Sequence, residues 1–346
     1  SLCYKKLNMS KKNSNVILKD GFKNFRELHN IKISFTKKIK SFKKKIFLIA
    51  VSGGPDSLAL AALAKSYSYS AKCKFYYVLV DHNIRKNSSN EAIQVKKLLK
   101  KNKINLIILK NKKKIKSNIQ GAAREIRYKL LTNYCKKRNI PTVVTAHNLE
   151  DQVETFFMRL SRGSGLQGLS SMQQISKIEK INLFRPLLDC KKLNLVKISK
   201  IIYGSFFRDP SNKNNKFLRI KIRKLKKNLE NSGISYEQII KSINNLASSR
   251  DTLNLYFNKI YQDLVRKKKG KHFINFKGFE SLNQETKIMV LKKSIKDISN
   301  SYYSTRSKKI IRLIDKISLL EEQKYTLGGC LILRKNVHLI LQKENK

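Results

Sequence analysis

Acidic residues are scarce in this 346-residue chain: 23 Asp and Glu stand against 76 Lys and Arg, a formal net charge of +53. Uncompensated positive charge opposes compaction and draws in polyanions, so a nucleic acid is the expected partner, bound in a salt-dependent way. Many lysines stand beside Asn and Ile, a bias that AT-rich coding also produces, and part of the count can come from that source. Cysteine is equally uninformative as a framework. Cys3, Cys73, Cys135, Cys190 and Cys330 are scattered and none forms a C-x-x-C pair. That argues against a disulfide scaffold, a structural zinc site or a cysteine-held cluster, and for reduced thiols in a cytoplasmic protein. No apolar run approaches the roughly 20 residues that cross a bilayer, and no secretory signal is expected. The phosphate loop G-x-x-x-x-G-K-[ST] is absent.

What is present is alternation. Residues 1–44 are rich in Lys, Asn and Ser with weak periodicity, and the expectation there is a poorly ordered basic arm with a short helix around Phe22–Leu28. From Ile46 short apolar runs alternate with helical patterns. Strands are expected at Ile46–Val51, Phe75–Val80, Ile104–Leu109 and Thr142–Ala146. Helices are expected at Asp56–Tyr67, Ser88–Lys101, Gln120–Arg138 and Glu150–Leu160, the second opened by the capping-box spacing Ser88-Ser89-Asn90-Glu91. This order predicts an α/β fold, a mainly parallel sheet with helices on both faces. Turn chemistry at Asp209-Pro210-Ser211-Asn212 marks a boundary near Lys213–Asn215. The expected organisation is a catalytic domain over 45–214, a basic helical domain over 215–325, and a short hairpin-like segment over 326–346.

The deciding motif is Val51-Ser52-Gly53-Gly54-Pro55-Asp56-Ser57. An apolar strand runs into two glycines and then a helix. Without Cβ atoms, the glycine backbone can approach an anion, and its N–H groups and the helix N-terminus can point at that anion. The place is the carboxyl end of a strand, where open α/β sheets bind ligands. A second glycine pattern, Gly163-Ser164-Gly165-Leu166-Gln167-Gly168, fits G-x-G-x-x-G. It follows a helical pattern rather than a strand, so it reads as a loop beside the site and not as a dinucleotide fingerprint.

Ser52 to Ser57 resembles the SGGxDS pyrophosphate loop (PP-loop) of the N-type ATP pyrophosphatases, which adenylate a carbonyl oxygen. Further segments narrow the resemblance: Asp81-His82-Asn83-Ile84-Arg85, Ala123-Arg124-Glu125-Ile126-Arg127-Tyr128, His147-Asn148-Leu149-Glu150-Asp151-Gln152-Val153-Glu154, Arg159-Leu160-Ser161-Arg162-Gly163, Arg185-Pro186-Leu187-Leu188 and Asp209-Pro210-Ser211-Asn212. In this order they look like the tRNA(Ile)-lysidine synthetase family, over about residues 46–225. Three positions depart from the family pattern. Asn83 replaces a glycine, Glu150 replaces the first of two aspartates, and Ile220 follows Arg219 where an asparagine is usual.

The resemblance implies ATP-dependent joining of free lysine to C2 of the wobble cytidine of a CAU-anticodon isoleucine tRNA, through an adenylated cytidine. It implies ATP held by Ser52, Gly53, Gly54, Pro55, Asp56, Ser57 and His147, with Asp56 and Asp151 as candidate magnesium ligands. Asp56, Arg124, Arg127, Asp151 and Glu154 are the candidate catalytic residues, the arginines acting on the α-phosphate. Glu154 and Glu150 are both candidates to take a proton from the lysine amine. Arg159, Arg162, Arg219, Lys221 and Arg223 are candidate tRNA phosphate contacts, and Phe206, Phe207 and Arg208 a candidate platform for the unstacked base. Some members of the family pair, so a homodimer is a candidate assembly; no membrane partner is expected. The competing readings are a tRNA thiolation enzyme, which usually carries the C-x-x-C pairs missing here, a small-molecule adenylating enzyme, and an RNA-binding relative whose ATP site has decayed.

Overall fold

The computed structural model describes residues 13–84, 87–111, 119–207, 218–299, 305–319 and 322–344. Arg85, Arg208, the turn Asp209–Asn212 and the boundary at Lys213–Asn215 lie outside these. The chain divides into two compact units, Ser1–Asn245 and Leu246–Lys346.

The first unit begins with helices α1 (Asn13–Asp20) and α2 (Arg26–Lys40), followed by β1 (Ile46–Val51), α3 (Pro55–Ser68), β2 (Lys74–Asp81), α4 (Ser88–Lys100), β3 (Leu106–Lys110), α5 (Ile119–Lys137), β4 (Thr142–Val144), α6 (Leu149–Leu160) and α7 (Leu166–Leu169). It continues with β5 (Ile175–Ile178), β6 (Ile181–Phe184), α8 (Lys192–Tyr203), α9 (Leu218–Lys224), α10 (Lys226–Asn231) and the start of α11 (Tyr236–Leu264). Six strands form one sheet in the order β3-β2-β1-β4-β6-β5, all neighbours parallel except β5 against β6. β1 is central: Leu48 lies between Tyr76 and Val143. Phe47, Leu48, Ile49 and Val51 are all buried, as expected of a strand covered on both faces. Leu58 through Ala64 of α3 are buried without interruption, so this helix is enclosed rather than amphipathic. The α/β expectation holds.

The N-terminal expectation does not. Residues 13–40 are two packed helices, not a loose arm. Ile17, Leu18, Phe22, Leu28, Phe35 and Ile39 are buried in the core of the first unit. Leu28, Phe35 and Ile39 recur at near-helical spacing, and the lysines between them occupy the outer face, where they mask the periodicity. The composition shift near residue 215 is also not a packing boundary. Leu149 and Val153 of α6 cluster with Tyr236, Ile239 and Ile243 of α11, so the first unit extends to Asn245.

The second unit contains β7 (Val265–Lys268), β8 (Lys271–Asn275), α12 (Phe276–Glu280), α13 (Gln284–Ser299), α14 (Ser307–Leu319), β9 (Lys324–Leu327), β10 (Cys330–Lys335) and β11 (His338–Lys343). Its five-stranded sheet has the order β7-β8-β11-β10-β9, antiparallel throughout. The expected hairpin near the C-terminus is present as β10–β11, but as part of this sheet rather than a separate segment. Residues 265–275, inside the stretch expected to be mainly helical, form a second hairpin. Lys269 and Gly270 at its tip both have positive φ, 47° and 74°, the requirement of a two-residue turn. Among the described residues no helix is long and apolar enough to cross a membrane.

Candidate active site

The Ser52–Ser57 loop leaves the carboxyl end of β1 and enters α3 with Pro55 at its start. Gly53 has φ +82°, and a Cβ there would stand 2.7 Å from Val95 Cγ2 of α4. Glycine is therefore required twice, for conformation and for space. Ser57 shapes the turn from inside. Its hydroxyl donates to the Gly54 carbonyl at 2.9 Å and accepts from the Ser52 N–H at 3.1 Å. The Phe207 N–H donates to the Gly53 carbonyl at 3.0 Å, so the segment after α8 braces the loop from outside. Phe206 and Phe207 pack on the core; for these two, core packing is the observed role.

Asp56 carries the strongest electrostatic signal in the loop. Its carboxyl is pushed up to about 6, chiefly by burial, with Asp151 and Glu150 adding to the rise and Lys192 opposing it. Asp56 Oδ1 is buried without a hydrogen-bond partner, and Oδ2 lies 3.7 Å from Lys192 Nζ. A carboxylate in this condition fits a cation. Among the described residues no group of three or more His, Cys, Asp or Glu gathers as a metal cage. Magnesium does not need one, since it binds through one or two carboxylates together with substrate phosphates and water.

The opposite wall is the start of α6. Asn148 caps it, accepting from the Asp151 N–H at 3.0 Å, while Asp151 Oδ2 accepts from the Asn148 N–H at 3.2 Å. The capping box expected at Ser88–Glu91 is therefore found here instead. Ser89 is used differently, donating to Asp81 Oδ2 at 2.6 Å. Glu150 accepts from the Lys192 N–H at 2.9 Å and fixes the start of α8. His147 shares a 2.9 Å hydrogen bond with Thr145. Burial lowers its pKa to about 3; Asp151 opposes the fall, and Arg185, Arg124 and Arg219 add to it. The ring is thus neutral, in the field of Arg185, Arg124 and Arg219. Arg185, itself buried, donates to the Gln173 carbonyl and to Ser176 Oγ.

On α5, Arg124 lies over the Tyr128 ring at 5.2 Å, and Arg127 Nε donates to His82 Nε2 at 3.3 Å. His82 can accept because burial, aided by Arg127, lowers its pKa to about 4. Asn83 takes φ +52° and donates its N–H to Asp81 Oδ1, so asparagine supplies the left-handed backbone that a glycine would.

Glu154 is 2% exposed and is claimed by α9. Arg223 donates to both of its oxygens, and Arg219 Nε lies 3.3 Å from Oε2. Burial raises the Glu154 carboxyl, and Arg223 and Arg219 pull it back part of the way. The basic residues expected to meet tRNA phosphates are therefore in different situations. Arg219 and Arg223 face Glu154 while remaining about a third exposed. Arg159 donates to the carbonyls of Gly168 and Ser171 and pins the glycine-rich loop after α6. Arg162 and Lys221 are exposed. Lys192 and Arg185 are the site residues that sequence reasoning left without a role. Arg185 lay within a quoted motif, whereas nothing in the spacing of Lys192 marked it.

Residues 27–229 match the family model described as a PP-loop domain. The chain is 33% identical to the tRNA(Ile)-lysidine synthase of Wolbachia pipientis wMel, over 86% of this chain and 70% of that one. It is 31% identical to the tRNA(Ile)-lysidine synthase of Orientia tsutsugamushi, over 91% of this chain and 74% of that one. Among solved structures it is similar in fold to the U34-tRNA thiolase NcsA of Methanococcus maripaludis, with a TM-score of 0.53 at 17% identity, over 63% of this chain and 77% of that one. With the SGGxDS loop, the capped acidic helix and the arginine-bearing α5 brought around one strand end, the chain belongs to the tRNA(Ile)-lysidine synthase family.

Proposed function

We propose that this protein joins free lysine to the wobble cytidine of a CAU-anticodon isoleucine tRNA at the expense of ATP, so that the tRNA reads AUA instead of AUG. The observation that carries the reading is the intact loop at the end of β1, with Asp56 held above the ordinary carboxylate range opposite Asp151. The cytosine O2 attacks the α-phosphorus of ATP and pyrophosphate leaves. The lysine ε-amine then attacks C2, loses a proton, and AMP leaves with the oxygen.

The chain's own groups divide this work. The N–H groups around Gly53 and Gly54 and the start of α3 receive the leaving pyrophosphate. Ser52 and Ser57 hold the loop in shape, and Pro55 starts the helix in a position that needs no N–H donor. Arg124 and Arg127 spread the charge gathering on the α-phosphate. Neutral His147 lines the nucleotide pocket. Asp56 and Asp151 would hold magnesium, which neutralises phosphate charge when bound. A carboxylate of α6 takes the proton from the amine: Glu154, which would first release one of its arginines, or Glu150, whose Oε2 accepts from the start of α8. Arg162 and Lys221 meet tRNA phosphates from exposed positions, and Arg159, Arg219 and Arg223 contribute field beside the site. A cytoplasmic location is part of the proposal, which cell fractionation tests. A homodimer is the proposed assembly, which light scattering at assay concentration decides.

The test is incorporation of radiolabelled lysine in the presence of Mg-ATP, using isoleucine tRNA transcripts with CAU or GAU anticodons. Label should enter only the CAU transcript and be lost in Asp56→Asn. Label in neither, with ATP still bound, would refute the lysidine reading and leave another adenylating activity.

A further inference from the structure

Resting on that reading of the loop, we infer that Lys192 is a substrate-contacting residue of the adenylation step, balancing Asp56 in the nucleotide-free enzyme and passing its ammonium to the phosphates of ATP when the loop is filled.

Four observations converge on it. Lys192 is the first residue of α8, and its backbone N–H is anchored to Glu150 Oε2. Its ammonium lies 3.7 Å from Asp56 Oδ2, close enough to attract but too far for a hydrogen bond. The pair therefore leaves the ammonium's donors uncommitted to Asp56. The helix that carries it is registered on the loop. Ser199, seven residues along and so on the same face, donates to the carbonyl of Pro55 at the start of α3. Leu195, Ile198 and Ile202 are buried with α3 in one core, so α8 holds that register firmly. Finally, the Lys192 side chain is 40% exposed whereas Asp56 is 23% exposed, which puts the ammonium at the rim, where a flexible stem can swing.

The charge balance explains why such a group is needed. Asp56, and Asp151 and Glu150 at the start of α6, are acidic, and a tetraanionic nucleotide entering beside them would be repelled. Lys192 is a cation standing 3.7 Å from Asp56. A cation from the protein, delivered on a fixed helix, offsets that repulsion. It also leaves Asp56 free to take a metal ion as the nucleotide arrives.

The bland alternative is a Lys192 that only neutralises Asp56 and never meets the nucleotide. A double-mutant cycle separates the two. Binding of Mg-ATP and of inorganic pyrophosphate is measured by calorimetry on the full chain for the wild type, Lys192→Met, Asp56→Asn and the double variant. A phosphate contact predicts weakening by about tenfold or more from Lys192→Met in both backgrounds, with Lys192→Arg recovering part of the loss. If Lys192→Met weakens binding only when Asp56 is present, or not at all, the inference is overturned. Melting temperatures of all five proteins guard against misfolding, and Lys192→Arg should keep the wild-type value while its binding moves. Failure of the wild type to bind either probe would overturn the nucleotide-site reading itself.

Discussion

Asp56 should destabilise the protein that depends on it. Its carboxyl titrates near 6 in the folded chain against an ordinary value of 3.8. A group whose folded pKa is raised binds its proton more tightly in the native state. Between about pH 4 and pH 6 the native state then holds more protons than the unfolded chain, and stability falls as pH rises through that window. Above about pH 6 the penalty is complete. A shift of about 2 units corresponds to roughly 3 kcal/mol at about 1.4 kcal/mol per unit, and the side chain is buried enough for most of that to count. Asp56→Asn keeps the shape and removes the charge. It should raise the melting temperature at pH 7.5 by about 5–10 °C, using the 2–4 °C per kcal/mol of a domain this size, while abolishing lysine incorporation. The gap should shrink as pH falls from 7 toward 5. Thermal melts monitored by circular dichroism at several pH values test this. A variant no more stable than wild type at pH 7.5, or a gap that does not change with pH, would refute the reasoning.

Gly53→Ala should bind ATP at least tenfold more weakly and lose 1–3 kcal/mol of stability, because its methyl group meets Val95 at φ +82°; isothermal calorimetry and urea unfolding read the two effects, and wild-type values for both would contradict the geometry. Glu154→Ala should cost about 1–3 kcal/mol, since Arg223 and Arg219, each about a third exposed, would lose their counter-charge but keep water. Urea unfolding measures it, and a loss under 1 kcal/mol would mean that the arginines find other partners.

The sequence made the nucleotide loop legible because a strand, two glycines and a helix start occupy consecutive positions, and each residue type has one physical use there. The acidic start of α6 was legible for the same reason, although its capping by Asn148 was not, since the better-looking capping pattern stood at Ser88. What escaped was set by packing. Phe22, Phe35 and Ile39 belong to the core, yet the lysines around them gave the segment the appearance of an arm. Residues 265–275 fall within the domain read as mainly helical, but the turn at Lys269-Gly270 decides for a hairpin, and that glycine was the available signal. The pairing of Asp56 with Lys192 joins residues 136 positions apart, and no local pattern could announce it.

The strand order of the second unit carries a consequence for how the protein is made. The six-stranded sheet that bears the site is complete once β6 has been synthesised, at Phe184. The other sheet cannot close in that sequential way. Its middle strand, β11, comes last, and pairs His338 with Asn275 and Lys343 with Cys330. Until β11 emerges from the ribosome, β8 and β10 each present an open edge, a template for pairing with other chains. A message broken before the codon for His338 would therefore leave the site-bearing sheet complete, joined to a second unit prone to aggregate.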